Sequence, residues 1–278
     1  MDLIRLCEIR ILHDCCRYGS LQYAQQHHAI NRYSSAEIRA DSNYALLLAC
    51  EHGHLAIAAW LHETFGLTTQ DARDNYNVAL LRVCAAGRLE VARWLHATFG
   101  LTAQDARECC ALGWACDAGH LELAQWLHRT FRLTAEDIRG LDWVSLLKLW
   151  EQGNLKIVRF LHESVGLTAD DISPEAIQAA CEHDQLRLMR WVQRAYGICP
   201  AWRDPVLQAA TSNSCTAYLR SLRTLRWSPR THARFPRASR RAARAALLVR
   251  ERQAHAPDSL PPLSTELWLH ILSYLPSW

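Results

Sequence analysis

One short motif, returning every thirty-odd residues, constrains this chain more than any other feature. It reads Ala49-Cys50-Glu51-His52-Gly53-His54-Leu55, then Val83-Cys84-Ala85-Ala86-Gly87-Arg88-Leu89, then Ala115-Cys116-Asp117-Ala118-Gly119-His120-Leu121. Weaker copies centre on Gly19 and Gly153, and Asp184 takes the glycine place in a sixth. The anchors at 19, 53, 87, 119, 153 and 184 are 34, 34, 32, 34 and 31 residues apart. A degenerate seventh unit is expected around residues 209–222. A period of this size means one supersecondary unit that cannot bury its apolar face alone and stacks on its neighbours to do so.

Each unit predicts two helices. The segment before the anchor (ALLLAC, ALLRVC, ALGWAC) is short and rich in Ala and Leu, and it stops at a glycine that suits a turn with positive φ. The segment after it keeps apolar residues at helical spacing: Leu55, Ile57, Ala58, Trp60 and Leu61, then Leu89, Val91, Ala92, Trp94 and Leu95. This second helix is expected to stop at Phe65-Gly66, Phe99-Gly100, Val165-Gly166 and Tyr196-Gly197. The connector then reads LTTQD, LTAQD, LTAED or LTADD. Thr with an acid three residues on starts a helix, so a short helical turn is expected there.

Residues 119–127, GHLELAQWL, resemble the second-helix consensus of the ankyrin repeat, GHLEVVKLLL, with Trp126 in the seventh place after glycine. The period agrees with the ankyrin value of ~33 residues. The TPLH tetrapeptide that opens the first ankyrin helix is absent, and FGLTxxD stands where the β-hairpin residues would be. The WLHETFGLT style of unit resembles the ankyrin arrays of large DNA viruses (giant viruses and poxviruses). The resemblance implies an all-α, ankyrin-like helical-repeat solenoid of about six to seven repeats over residues 1–226.

Cysteines and histidines invite a metal reading, but their places in the repeat oppose it. Cys16, Cys50, Cys84, Cys116 and Cys181 each stand three residues before the anchor, with Trp150 in the remaining unit. Ankyrin repeats usually carry Ala there, and free Cys behaves as a small buried apolar residue. His28, His62, His96, His128 and His162 share a place nine residues after the anchor. A ladder with one residue per repeat does not converge on one ion at ~2.0–2.3 Å. Cys109, Cys110, Cys116 and His120 are the densest local group, without paired C-x₂–₄-C spacing. No metal and no cofactor are expected. Trp60, Trp94, Trp126 and Trp191, with Phe160, form another ladder, expected in the core between repeats.

Catalytic motifs are missing. There is no Gly-Lys dipeptide for a phosphate loop, no G-x-S-x-G elbow, and neither His62-Glu63 nor His162-Glu163 has the second histidine of a zinc protease. Asp170-Asp171 after Thr168 fits a helix start. The chain is expected not to be an enzyme. The longest clean apolar runs have seven residues, 44–50 and 55–61, against the ~20 of a membrane helix, so no membrane partner is expected. MDLIRLCEIR carries four charges where a signal peptide is apolar. That, with an odd count of 11 cysteines, predicts reduced thiols in the cytoplasm, or in the nucleus.

The net charge of +3 conceals a division. Residues 1–219 sum to -5 and residues 220–278 to +8, which predicts an Arg-rich linker over 227–258 after the array. Helix formers follow Arg237, and Arg234, Arg237, Arg241 and Arg244 fall on one face at 3- and 4-residue spacing. That patch suits phosphate contacts or nuclear import, or simply a solvated basic helix joining two modules.

Residues 259–278 form the third part. Ser264 can cap a helix with Thr265 and Glu266 in its first turn, and Leu267, Ile271 and Leu275 recur at i, i+4, i+8 beside Leu272. These residues resemble the opening of the F-box, LPxELxxxILxxLP, which recruits a cullin ubiquitin ligase through its small adaptor. Leu263, Glu266, Leu267, Ile271, Leu272, Leu275 and Pro276 match that pattern, and Ser264 replaces its proline. Repeats first and box last is the order of the viral ankyrin proteins. The resemblance implies a monomeric interaction protein that holds a target through its repeats and brings it to the ligase. Two alternatives stay open: a plain ankyrin scaffold, and a nucleic-acid or nuclear-import-linked factor using the Arg-rich segment.

Overall fold

The computed structural model of the chain describes residues 3–139 and 144–196, with 214, 215, 217 and 218. All its regular structure among these residues is helical. Helices pair around each anchor: α1 (Leu3–Tyr18) and α2 (Leu21–Asn31) around Gly19, α3 (Ser35–His52) and α4 (Leu55–Phe65) around Gly53, α5 (Thr69–Ala86) and α6 (Leu89–Phe99) around Gly87. Around Gly119 stand α7 (Ala103–Glu108), α8 (Ala111–Asp117) and α9 (Leu121–Phe131). After α10 (Ala135–Arg139) come α11 (Val144–Glu151) and α12 (Leu155–Phe160), extended by a π turn at Leu161–Val165, then a 3₁₀ turn at Ala169–Asp171, α13 (Pro174–Glu182) and α14 (Leu186–Ala195). No described helix is long and apolar enough to cross a membrane. The residues fall into two compact units, Met1–Leu146 with Phe160–Gly166, and Leu147–Arg159 with Leu167–Trp278.

The connector turn expected after FGLT is a helix in its own right. Ser34 and Thr102 open it as reciprocal caps: the Ser34 amide donates to Glu37 (2.8 Å) and the Thr102 amide to Asp105 (2.7 Å), while their hydroxyls accept the acids' own amides. The backbone then swings through left-handed φ at residues 41–43 (52° to 58°), at 75–77 (49° to 58°) and at Cys110 (54°) before the first helix of the pair begins. Asp and Asn tolerate this region better than other L-residues, which suits DSN and NYN at the first two breaks. Each of these repeats thus has three helical pieces where two and a turn were expected.

In the first unit the core is built from equivalent positions. Leu61, Leu95 and Leu127 are wholly buried, as are Ala58, Ala92 and Ala124, with Ile57, Val91 and Leu123 beside them. Each large aliphatic contributes roughly 1.5–3 kcal/mol. Cys50, Cys84 and Cys116 are also inaccessible, packed as small apolar side chains. The tryptophans depart from the expected core position: Trp60, Trp94 and Trp126 are half-buried. The leucine one residue further on points fully inward, so the Trp ring lies at the margin and seals the seam between repeats.

Candidate interaction surface

Much of what repeats in the sequence is consumed by joining one repeat to the next. Arg5 pairs with Glu37, Arg39 with Asp71 (2.8 Å), Arg73 with Asp105 (2.7 Å) and Arg107 with Asp137. Each acid also caps its own connector helix, and the arginine two residues after it reaches the acid of the following repeat. The signature, acid-x-Arg in EIR, DAR and DAR, was available in the sequence. Its partners lie about one period apart, so no local pattern links them. Arg5, and then the Ser34 amide, hold the Glu37 carboxyl down at about 2. Burial opposes ionisation of Asp105, but Arg73 and the Thr102 amide together outweigh it and keep its carboxyl below the usual range.

The histidine ladder has a similar task. The Nδ1–H groups of His62, His96 and His128 donate to the carbonyls of Leu67, Leu101 and Leu133 at 2.7–2.8 Å, satisfying backbone just past each helix end. The same rings meet the next repeat edge-on: His62 with Phe99 (5.1 Å) and Trp94 (6.2 Å), His96 with Phe131 (5.1 Å) and Trp126 (6.1 Å). His28 has the ring contacts with Phe65 and Trp60, but its buried Nδ1 finds no partner, and burial lowers its pKa. Residues after the anchor bind backward, His54 to the Arg17 carbonyl (2.9 Å), Arg88 to that of Glu51 (3.1 Å) and His120 to that of Ala85 (3.2 Å).

The cysteine-rich group does not converge. Cys109 donates its S–H to the Ala106 carbonyl (3.8 Å), His120 reaches Ala85, and Cys116 is buried three residues before its glycine. Burial pushes the thiols of Cys50, Cys84 and Cys116 well up, which keeps them protonated. Among the described residues no three His, Cys, Asp or Glu side chains stand together as a metal site. The F-box-like residues Leu263, Glu266, Leu267, Ile271, Leu272, Leu275 and Pro276, and the patch Arg234, Arg237, Arg241 and Arg244, lie outside the described residues.

Some positions that do not repeat face outward. Five residues before the anchor stand Asp14, Arg82, Trp114 and Lys148, all exposed, while Leu48 and Ala179 are buried. Tyr76, at the second left-handed break, is 83% exposed. In the first unit a groove of about 360 Å³ opens between α1 and the break in α3, with Leu6, Arg10, His13, Asp14, Asp41 and Tyr44 in its walls. The His13 ring stands edge-on to Tyr44 (5.1 Å), and the Tyr44 hydroxyl accepts from Arg17 (3.4 Å). Burial lowers the His13 pKa, against the pull of Asp41 and Asp14. No protein-family pattern and no curated protein matches the chain.

Proposed function

We propose that the chain is a non-enzymatic protein-interaction module whose ankyrin-like repeats hold a target protein, and whose F-box-like segment brings that target to a cullin ubiquitin ligase. The observation carrying the first half is the division of labour among repeat positions. Arg, Asp, His, Gly and Cys recur where repeats join, whereas the position five residues before the anchor holds unlike side chains, exposed in four repeats (Asp14, Arg82, Trp114, Lys148) and buried in two (Leu48, Ala179). A fixed frame presenting variable groups is how a stack of repeats achieves specificity without a catalytic centre. The second half rests on the match of Leu263, Glu266, Leu267, Ile271, Leu272, Leu275 and Pro276 to the F-box pattern. Two modules on one chain raise the effective concentration of target at the ligase.

The full chain carrying Leu267→Asp and Ile271→Asp tests the ligase half. The parent is expected to capture the purified adaptor, and the double variant to lose it with an unchanged thermal midpoint. If the parent captures no adaptor, the ligase reading falls and the plain scaffold remains. Tyr44→Asp with Trp114→Asp tests the target face, through loss of co-purifying proteins from a chain that melts normally. A salt titration of DNA binding addresses the Arg-rich segment, since a phosphate-driven affinity falls steeply with ionic strength.

A further inference from the structure

In the second unit the faces of α12 and α14 enclose a groove of about 790 Å³. Lys156 and Arg159 line one wall, Arg187 and Arg190 the other, and all four are exposed. They stand three and six residues after their anchors. In the earlier repeats the same two places hold Gln22 and Gln25, Ala56 and Ala59, Glu90 and Arg93, Glu122 and Gln125. The repeat frame therefore does not demand cations there. Lys156, Arg187 and Arg190 have no carboxylate partner among the described residues. The acid on the rim, Asp184, accepts the Cys215 amide (2.9 Å).

Exposed cations on one helix spaced three residues apart are normally separated or neutralised, because like charges so close repel. Lys156 on one wall with Arg187 and Arg190 on the other favours an anion between them. The dimensions decide which kind. A groove of about 790 Å³ holds a few residues of an extended chain and is too small to enclose a B-form duplex, whose major groove alone is ~12 Å wide. Among the described residues no aromatic side chain lines the groove itself, and the one ring beside it, Tyr218, is already taken up by Arg190 (5.7 Å), which leaves little platform for stacking the bases of single-stranded nucleic acid. Guanidinium groups match carboxylates bidentately.

We infer that the α12–α14 groove binds an acidic polypeptide segment, one rich in Asp and Glu. This rests on the interaction-module reading and specifies the chemistry of one partner. The test is an anisotropy titration of a labelled deca-glutamate peptide with the full chain, its Lys156→Glu/Arg187→Glu variant, and a control reversal of equal charge at Arg93 and Arg129 in the first unit. The groove variant is expected to bind at least tenfold more weakly and the control less than threefold, with both melting as the parent does. Lys156→Ala/Arg187→Ala provides the same comparison if charge reversal disturbs folding. Absence of peptide binding by the parent, or equal loss in both variants, overturns the inference. So does an oligothymidylate of equal length that displaces the peptide and is itself the ligand weakened by the groove variant. Because Tyr44→Asp/Trp114→Asp tests residues of the first unit, a parent that captures a target through them yet binds no deca-glutamate refutes this inference and spares the module reading.

Discussion

At the residue scale, Gly87 shows two constraints on one atom. Its φ is +71°, and a Cβ there would lie 2.5 Å from the His120 ring, which crosses it on the way to the Ala85 carbonyl. Gly66 also has positive φ, +59°, but open space around it. Left-handed φ costs an L-residue about 1–2 kcal/mol, so Gly66→Ala is expected to lower stability by roughly that amount. Gly87→Ala is expected to cost more in denaturant melts, and His120→Ala in that background to recover part of the difference. Equal losses at both glycines would mean that the ring yields freely. The cysteines make a second residue-scale case. Cys50→Ala/Cys84→Ala/Cys116→Ala is expected to fold and to carry the same zinc content as the parent by elemental analysis. Zinc at one per chain in the parent, lost with folding in the variant, would refute their role as packing groups.

At the element scale, the connector helices are held by acids that serve two masters. Asp105 caps α7 through Thr102 and receives both Nε (2.7 Å) and Nη2 (2.9 Å) of Arg73. Asp105→Asn is expected to cost about 1–3 kcal/mol at pH 7. The pH dependence follows from the signs. The carboxyls of Glu37, Asp71, Asp105 and Asp137 are depressed in the folded chain. Their contribution is complete above the unfolded value near 4 and is lost as pH falls through the folded one. His13 and His28 are also depressed, so the unfolded chain takes up their protons first and stability begins to decline below about 6.5. Thermal midpoints are expected to fall gently from pH 7 to 5 and steeply from about 4 to 2, with the steep part shallower in Asp105→Asn. A midpoint that holds level down to pH 2 would contradict the ladder.

At the scale of the whole molecule, stability in a stack of repeats is a sum of units and nearest-neighbour seams. In the first unit His62 of the preceding repeat meets Trp94, and His28 meets Trp60 closer to the amino terminus. A seam with structured repeats on both sides cannot fray, so Trp94→Ala is expected to destabilise more than Trp60→Ala. Since both rings are half-buried, the loss at Trp94 is expected near 2–4 kcal/mol, at or below the usual range for a buried aromatic. Equal denaturation midpoints for the two variants would argue against seams coupled in this order.

Much of this was legible in the chain itself. The helix pairs, their glycine stops and the Thr-to-acid starts all depend on interactions within four or five residues, which a sequence states directly. The period of about 34 residues states that the units stack. Other features arise only between units, where side chains from different turns of the chain meet. Arg73 finds Asp105 at a distance of 32 residues, and the His96 ring settles against Phe131. The tryptophans at the margin, the left-handed breaks at 41–43, 75–77 and Cys110, and the cationic walls of α12 and α14 are of the same kind. Local propensity selects the helix, whereas the packing angle of one helix on the next selects which faces are covered. That angle is set by the whole stack.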